Sequence, residues 1–331
     1  MKQTGLLLVL IVYTISALAQ EPANRDYDLA LPNHKGKLTW SVEGYRIVEN
    51  SAKSNGSELG VRGRDASGQV TFLGFLFLVP EGAPMTSSQC RDAALAQERR
   101  ANATLKVVRK SEISGSGGLP VALVSYTTTN RDASTTNRVR GFVATGDICG
   151  DLEFYSSKAI RDEDPGLKSV FLSYRMDPDY LPEFKDVALY AQVLYLHRDY
   201  RSAAPMFEKA LTMVPPDGAP FQSAKIARRI MRDQAGISYG ISGDLAKSRS
   251  IFEQGVADDP DYPLNYYNLA CADAGEKKLA DAKRHLQQAF DRRANVNPGE
   301  SMPVPTEDDS FSPYKSNREF WTFLEGLKAG K

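Results

Sequence analysis

The sequence predicts an α+β protein: an N-terminal antiparallel sheet with two packed helices, followed by an all-α array of helical hairpins with a C-terminal capping helix. Three observations predict it. Residues 38–158 carry short, often alternating blocks of Val, Phe, Thr and Tyr, the texture of strands. From about Leu181 the apolar period becomes helical, and a small–aromatic–small–Pro spacing recurs. The 331 residues, 42% hydrophobic and 25% charged, suit about two domains with proper cores.

The chain opens with a different texture. Lys2 and the α-amino group precede the apolar residues 5–16, and Ala17-Leu18-Ala19 makes an A-x-A cleavage site before Gln20. This is the pattern of a secretory signal peptide over residues 1–19. A membrane anchor would need about 18 apolar residues and a basic flank. The expectation is an exported chain, periplasmic or secreted, with no stable membrane insertion after cleavage. Lys plus Arg equals Asp plus Glu at 41 each, so no net field favours nucleic acid as a partner.

After a linker, residues 20–37, the sandwich domain is expected over 38–180. Strand signals are "LTWSVEGYRIV", "VTFLGFLFLV", "LKVVRKSEI", "VALVSYTTT", "RVRGFVATG" and "DLEFYSS", separated by turn chemistry at Asp65-Ala66-Ser67-Gly68, residues 114–118 and residues 130–137. Helices are expected over 86–103, from a Thr/Ser cap, and over 163–176, where Leu167, Val170, Phe171 and Tyr174 share a face. The element order, with "GLPVALVSY", "GFVATGDICGDLEFYSS" and "PGLKSVFLSYRM", resembles the PsbP-like fold of small extracytoplasmic binding domains over about 45–178.

The three cysteines lack a C-x-x-C pair or a histidine at ligand spacing, so no zinc or thioredoxin-type site is expected. Export permits a disulfide. Cys90 and Cys149 share the N-terminal half while Cys271 lies on a later helix, which leaves two partitions: a Cys90–Cys149 bridge with one thiol, or three reduced thiols.

The second half is organised by one spacing. "GDLAKSRSIFEQGVADDP" places Ser248, Phe252, Gly255 and Pro260 at fixed offsets, and twelve residues before Ser248 stands Gly236. The same frame fits Ala191, Ala203, Phe207, Ala210 and Pro215, and again Ala270, Ala282, Leu286 and Ala289. Small residues on both helices of a hairpin allow close approach, the larger residue fills the groove beside them, and Pro ends the second helix. Residues 184–297 thereby resemble the tetratricopeptide repeat family, whose period of about 34 residues separates the second and third copies. An insertion around "DGAPFQSAKIA" lengthens the first interval, and the third copy departs from the pattern with Asp273 in place of an aromatic and Ala294 in place of Pro. The array is expected over 181–297. Residues 298–331 are then expected to form a polar linker and a capping helix with a Ser316/Glu319 capping box and Phe320, Phe323, Leu324 and Leu327 on one face.

The resemblance implies a concave groove lined by the first helix of each pair: Lys185, Gln192 and Tyr195, then Asp233 and Ile237, then Tyr267 and Cys271. Its ligand would be a protein or peptide. Lys225, Arg228, Arg229 and Arg232 form a basic stripe at i, i+3, i+4 and i+7, read either as a dock for an acidic partner or as a solvated face. No catalytic constellation surrounds His34, His197 or His285, "GSGGLP" precedes a strand rather than a helix, and the acidic runs 258–261 and 307–309 lack calcium spacing. A non-enzymatic interaction protein with no cofactor and no metal is the expectation. The alternative is a small-molecule or lipid binder using a pocket in the sandwich.

Overall fold

The computed structural model describes residues 26–41, 43–79, 85–216 and 223–328; the predicted leader and its cleavage site lie outside them. The chain divides into two compact units between His197 and Arg198.

In the first unit, β1 (Asp26–Ala30), β2 (Lys37–Ser41) and β10 (Arg175–Asp177) form a small antiparallel sheet in the order β1-β2-β10. A seven-stranded antiparallel sheet joins β3 (Tyr45–Ala52), β4 (Glu58–Asp65), β5 (Thr71–Leu78), β6 (Lys106–Ser114), β7 (Pro120–Thr129), β8 (Thr135–Thr145) and β9 (Ile148–Ser156) in the order β3-β4-β5-β9-β8-β7-β6. Two expectations change here. The block "LTWSVEGYRIV" is divided between the sheets, with Gly44 at φ +85 in the turn between β2 and β3. Residues 20–37 are not simply a linker, because β1 lies among them and Leu29 and Leu31 are fully buried.

Each face of the large sheet is covered. Helix α1 (Ser87–Ala101) starts at Thr86, whose hydroxyl accepts from the Gln89 amide at 3.2 Å while Gln89 Oε1 accepts from the Thr86 amide at 2.8 Å. Its Cys90 is bonded to Cys149 of β9 and packs with Val124, Tyr126 and Phe142. On the neighbouring strand position the chain has Gly141, where an added Cβ would collide with the ring of Phe171 on α2 (Pro165–Leu172). Successive strand residues face opposite ways, so α1 and α2 cover opposite faces. Below α2 an aromatic file fills the interior: Tyr45, Phe72, Phe154, Phe171 and Tyr174, with neighbouring ring centroids 5.3–6.1 Å apart. Beside Phe142, Arg140 pairs with Asp151 and Arg138 with Glu153, so the charges buried on the α1 face neutralise one another.

Helix α3 (Phe184–Leu196), the first helix of the first predicted repeat, belongs to this unit. The Tyr190 hydroxyl donates to the carbonyls of Lys53 and Glu58 at 2.5 and 2.9 Å, which ties α3 to the β3–β4 hairpin. That attachment moves the boundary from 180/181 to 197/198.

The second unit contains α4 (Tyr200–Thr212), α5 (Ala224–Ile241), α6 (Leu245–Asp258), α7 (Pro263–Gly275), α8 (Leu279–Asp291) and α9 (Arg318–Lys328). The repeat positions are interior: Ala203, Phe207, Ala210, Ala270, Ala282, Leu286 and Ala289 are fully buried, and Phe252 is 2% exposed. The turns from α5 to α6 and from α7 to α8 keep the same frame, with left-handed backbone at Gly243 and Lys277 (φ +95 and +64). Asp273 is explained by its neighbours: it accepts from Arg249 at 2.8 Å and lies 2.6 Å from His285 Nδ1, so a buried polar cluster replaces the usual aromatic. Helix α9 does close the end of the array, with Phe320 and Leu324 buried among Tyr267, Ala274, Leu286 and Phe290. Its cap, however, is Asn317 rather than Ser316. The Asn317 side chain accepts from the Phe320 amide at 3.1 Å, and Glu319 reaches Lys283 instead.

Candidate binding groove

Helices α5 and α7, the first helices of the second and third pairs, pack beside one another, and the chain between α8 and α9 lies along α7 and reaches Arg229 of α5. Residues 297–314 follow α7 from its first turn to its last. At the start, the Tyr262 hydroxyl lies 3.0 Å from both carboxylate oxygens of Glu300, and Arg229 reaches Asn295 O at 3.0 Å and Asn297 Oδ1 at 3.2 Å. Midway, the Tyr267 hydroxyl donates to Asp308 at 2.9 Å, with the Cys271 sulfur 3.9 Å from the same oxygen. Next comes Phe311, fully buried, its ring edge-on to Tyr267 at 6.0 Å. At the end, the Tyr314 hydroxyl donates to the carbonyl of Ala274. The polar linker expected at the start of 298–331 is thus docked chain.

The predicted groove residues separate into two groups. Lys185, Gln192 and Tyr195 stand on α3 in the first unit, where Tyr195 is buried and Lys185 lies 3.6 Å from Glu183. Asp233, Ile237, Tyr267 and Cys271 belong to the second unit. Tyr267 and Cys271 converge on Asp308, and Asp233 accepts from Asn268 at 2.6 Å. Burial, reinforced by the nearby charge of Glu300, pushes the Asp233 carboxyl up to about 7. Burial also raises Glu300, Tyr267 and the Cys271 thiol. Tyr262, Asn268, Asn297, Glu300, Asp308 and Phe311 were not foreseen as groove residues; the one signal was that the aromatic Phe311 follows the acidic run 307–309 in an otherwise polar, Pro-rich stretch.

The basic stripe divides into two buried, paired arginines and two exposed cations. Arg229 donates to Asp259 at 2.6 Å and lies over the Tyr262 ring, Arg232 pairs with Asp258, and both arginines are buried. Lys225 stands 3.5 Å from Asp259, and Arg228 is exposed. The acidic run 258–261 is therefore the partner of the stripe. Although burial raises the Asp259 carboxyl, the Arg229 hydrogen bond and charge bring it below the usual range. Among the described residues, no group of three or more His, Cys, Asp and Glu could hold a metal ion, and no helix is long and apolar enough to cross a membrane.

No family model and no curated protein matches the chain. Among solved structures it is similar to the TPR domain of Sgt2 from Aspergillus fumigatus, at 18% identity over 45% of this chain and 78% of that one, with a TM-score of 0.30. It is similar to MamA from Desulfovibrio magneticus RS-1, at 18% identity over 45% and 77%, with a TM-score of 0.31. It is also similar to cyanobacterial PsbP from Synechocystis sp. PCC 6803, at 9% identity over 48% and 96%, with a TM-score of 0.34.

Proposed function

We propose that this is an exported, non-enzymatic protein whose helical unit binds a protein or peptide and so takes part in assembling an envelope complex. One observation carries the reading: the α5–α7 face holds a segment of nearly irregular chain, residues 297–314, through side-chain donors and an aromatic contact. Export is supported by the leader-like residues 1–19 and by the pairing of Cys90 with Cys149, a bond that persists in oxidising compartments. The alternative, a small-molecule or lipid pocket in the sandwich, has less support. The interior it would use under α2 is occupied by the aromatic file from Tyr45 to Tyr174.

The test is crosslinking of the mature chain to an envelope extract of the producing cell, beside its Gly236→Leu variant. A partner captured by the first and lost by the second, with the sheet unit still folded, is the expected result. A partner retained by both places binding on the sheet unit and defeats the reading.

A further inference from the structure

Resting on that reading, we infer that residues 297–314 are an intramolecular ligand of the groove, and that the partner displacing them is an acidic peptide with an aromatic side chain three residues beyond a carboxylate. The segment has little structure of its own, only single 3-10 turns at Pro305–Glu307 and Ser312–Tyr314. Its path is set by what the groove offers.

What the groove offers is specific. Phenol hydroxyls of Tyr262 and Tyr267 meet Glu300 and Asp308, and the Tyr267 ring meets Phe311. Asp308 and Phe311 are presented together by a local turn: the Asp308 carboxylate accepts from the Ser310 amide at 2.8 Å and the Asp308 carbonyl from the Phe311 amide at 3.1 Å. A short peptide with the same acid-x-x-aromatic step can form that turn unaided and present the same pair of groups.

The Glu300 and Asp308 carboxylates accept from neutral phenols, hydrogen bonds that the carboxylate of a peptide in trans can replace one for one. Burial raises Glu300, and the nearby charge of Glu300 adds to the burial that raises Asp233. A covalently attached ligand needs no high affinity to fill its site, because attachment makes its effective concentration high. A partner in trans competes only when the intrinsic hold is weak.

The experiment uses the full mature chain and a fluorescent peptide of residues 301–315. Anisotropy reports peptide binding, and an aromatic disulfide reagent under non-reducing conditions reports exposure of Cys271. The variants are Phe311→Ala and Asp308→Ala, the second removing a carboxylate without emptying the aromatic cluster. Weak peptide binding and slow thiol reaction are expected of the unaltered chain. In either variant the thiol should react at least about tenfold faster and the peptide bind at least about tenfold tighter, because the competing docked state is depopulated. A peptide lacking both Asp308 and Phe311 should not bind.

If both variants keep their helical circular dichroism, leave Cys271 as slow as before and take up no peptide, the segment is a permanent part of the fold and the inference fails. A variant whose rescue comes only from dimers seen by size exclusion also overturns it, since the ligand would then be a second copy. Neither failure touches the peptide-binding reading, which is judged by the envelope crosslinking of Gly236→Leu.

Discussion

Replacing Gly236 with alanine probes the helix approach from which the repeat was read. Gly236 is in α5, and the space a Cβ would fill is taken by the Phe252 ring of α6. A methyl built there would lie 2.7 and 2.8 Å from Cε2 and Cε1, and nearer still to Cζ. Carbon atoms rest about 3.5–4.0 Å apart, so ring and helix must separate by about 1 Å. Phe252 is only 2% exposed and cannot swing into solvent. Two effects compete. Alanine favours a helix over glycine by about 1 kcal/mol, whereas overpacking a closed contact costs about 1–3 kcal/mol. Because three ring atoms collide, the upper part of that range applies, and a net loss of about 1–2 kcal/mol is expected. Gly326 in α9 is the control, since nothing lies within 4 Å of its Cβ position. There the same substitution should raise stability by up to about 1 kcal/mol. The assay is urea unfolding followed by far-UV circular dichroism, with Trp321 emission reporting the helical unit. If Gly236→Ala proves as stable as the unaltered chain or more so, the close approach of α5 and α6 is not what the glycine is for.

Three further outcomes are expected. Arg229→Met, which removes the buried guanidinium that bonds the half-buried Asp259 carboxylate, Asn295 and Asn297, should cost about 2 kcal/mol in the same urea assay, with Lys225 left beside Asp259, while Arg228→Met should stay within about 0.5 kcal/mol; equal losses would refute the separation of the stripe into paired and exposed members. The Asp233 carboxyl, raised to about 7, holds its proton in the folded state through a window where the unfolded chain has released it, so its contribution to stability falls as pH rises from about 4 to about 7. Asp233→Asn should therefore be the more stable protein at about pH 8, by roughly 1–3 kcal/mol after allowing for solvent access, and should flatten the pH profile; a profile as steep as that of the unaltered chain would exclude Asp233 as its source. The Cys90–Cys149 bond closes a sequence separation of 59 residues, for which the chain-entropy account gives about 4 kcal/mol. Reduction should lower the unfolding midpoint followed by Trp40 in the sheet unit and leave that of the helical unit in place.

Some of this protein was determined locally, and that part was legible. Strand texture, the Thr86 cap of α1 and the small residues at Ala203, Gly236 and Ala282 each record a constraint that acts within a strand, a turn or one helix pair. Such a constraint leaves a period or a spacing in the chain. The pairing of Cys90 with Cys149 was one of two partitions that the residues allowed, and the packing of α1 across β7 and β8, with β9 beside them, selected it. Other features were decided by tertiary structure alone. Four cations at helical spacing show that they share a face, but not that Asp258 and Asp259 at the end of the next helix meet that face. The helical spacing of Phe320, Phe323, Leu324 and Leu327 marks α9 as a cap, yet Asp308 and Phe311 have no period, because an extended ligand takes its register from the surface that holds it. Likewise α3 carries the repeat pattern and still packs on the β3–β4 hairpin through Tyr190, since helix formation is local while the choice of packing partner depends on every surface the folded chain presents.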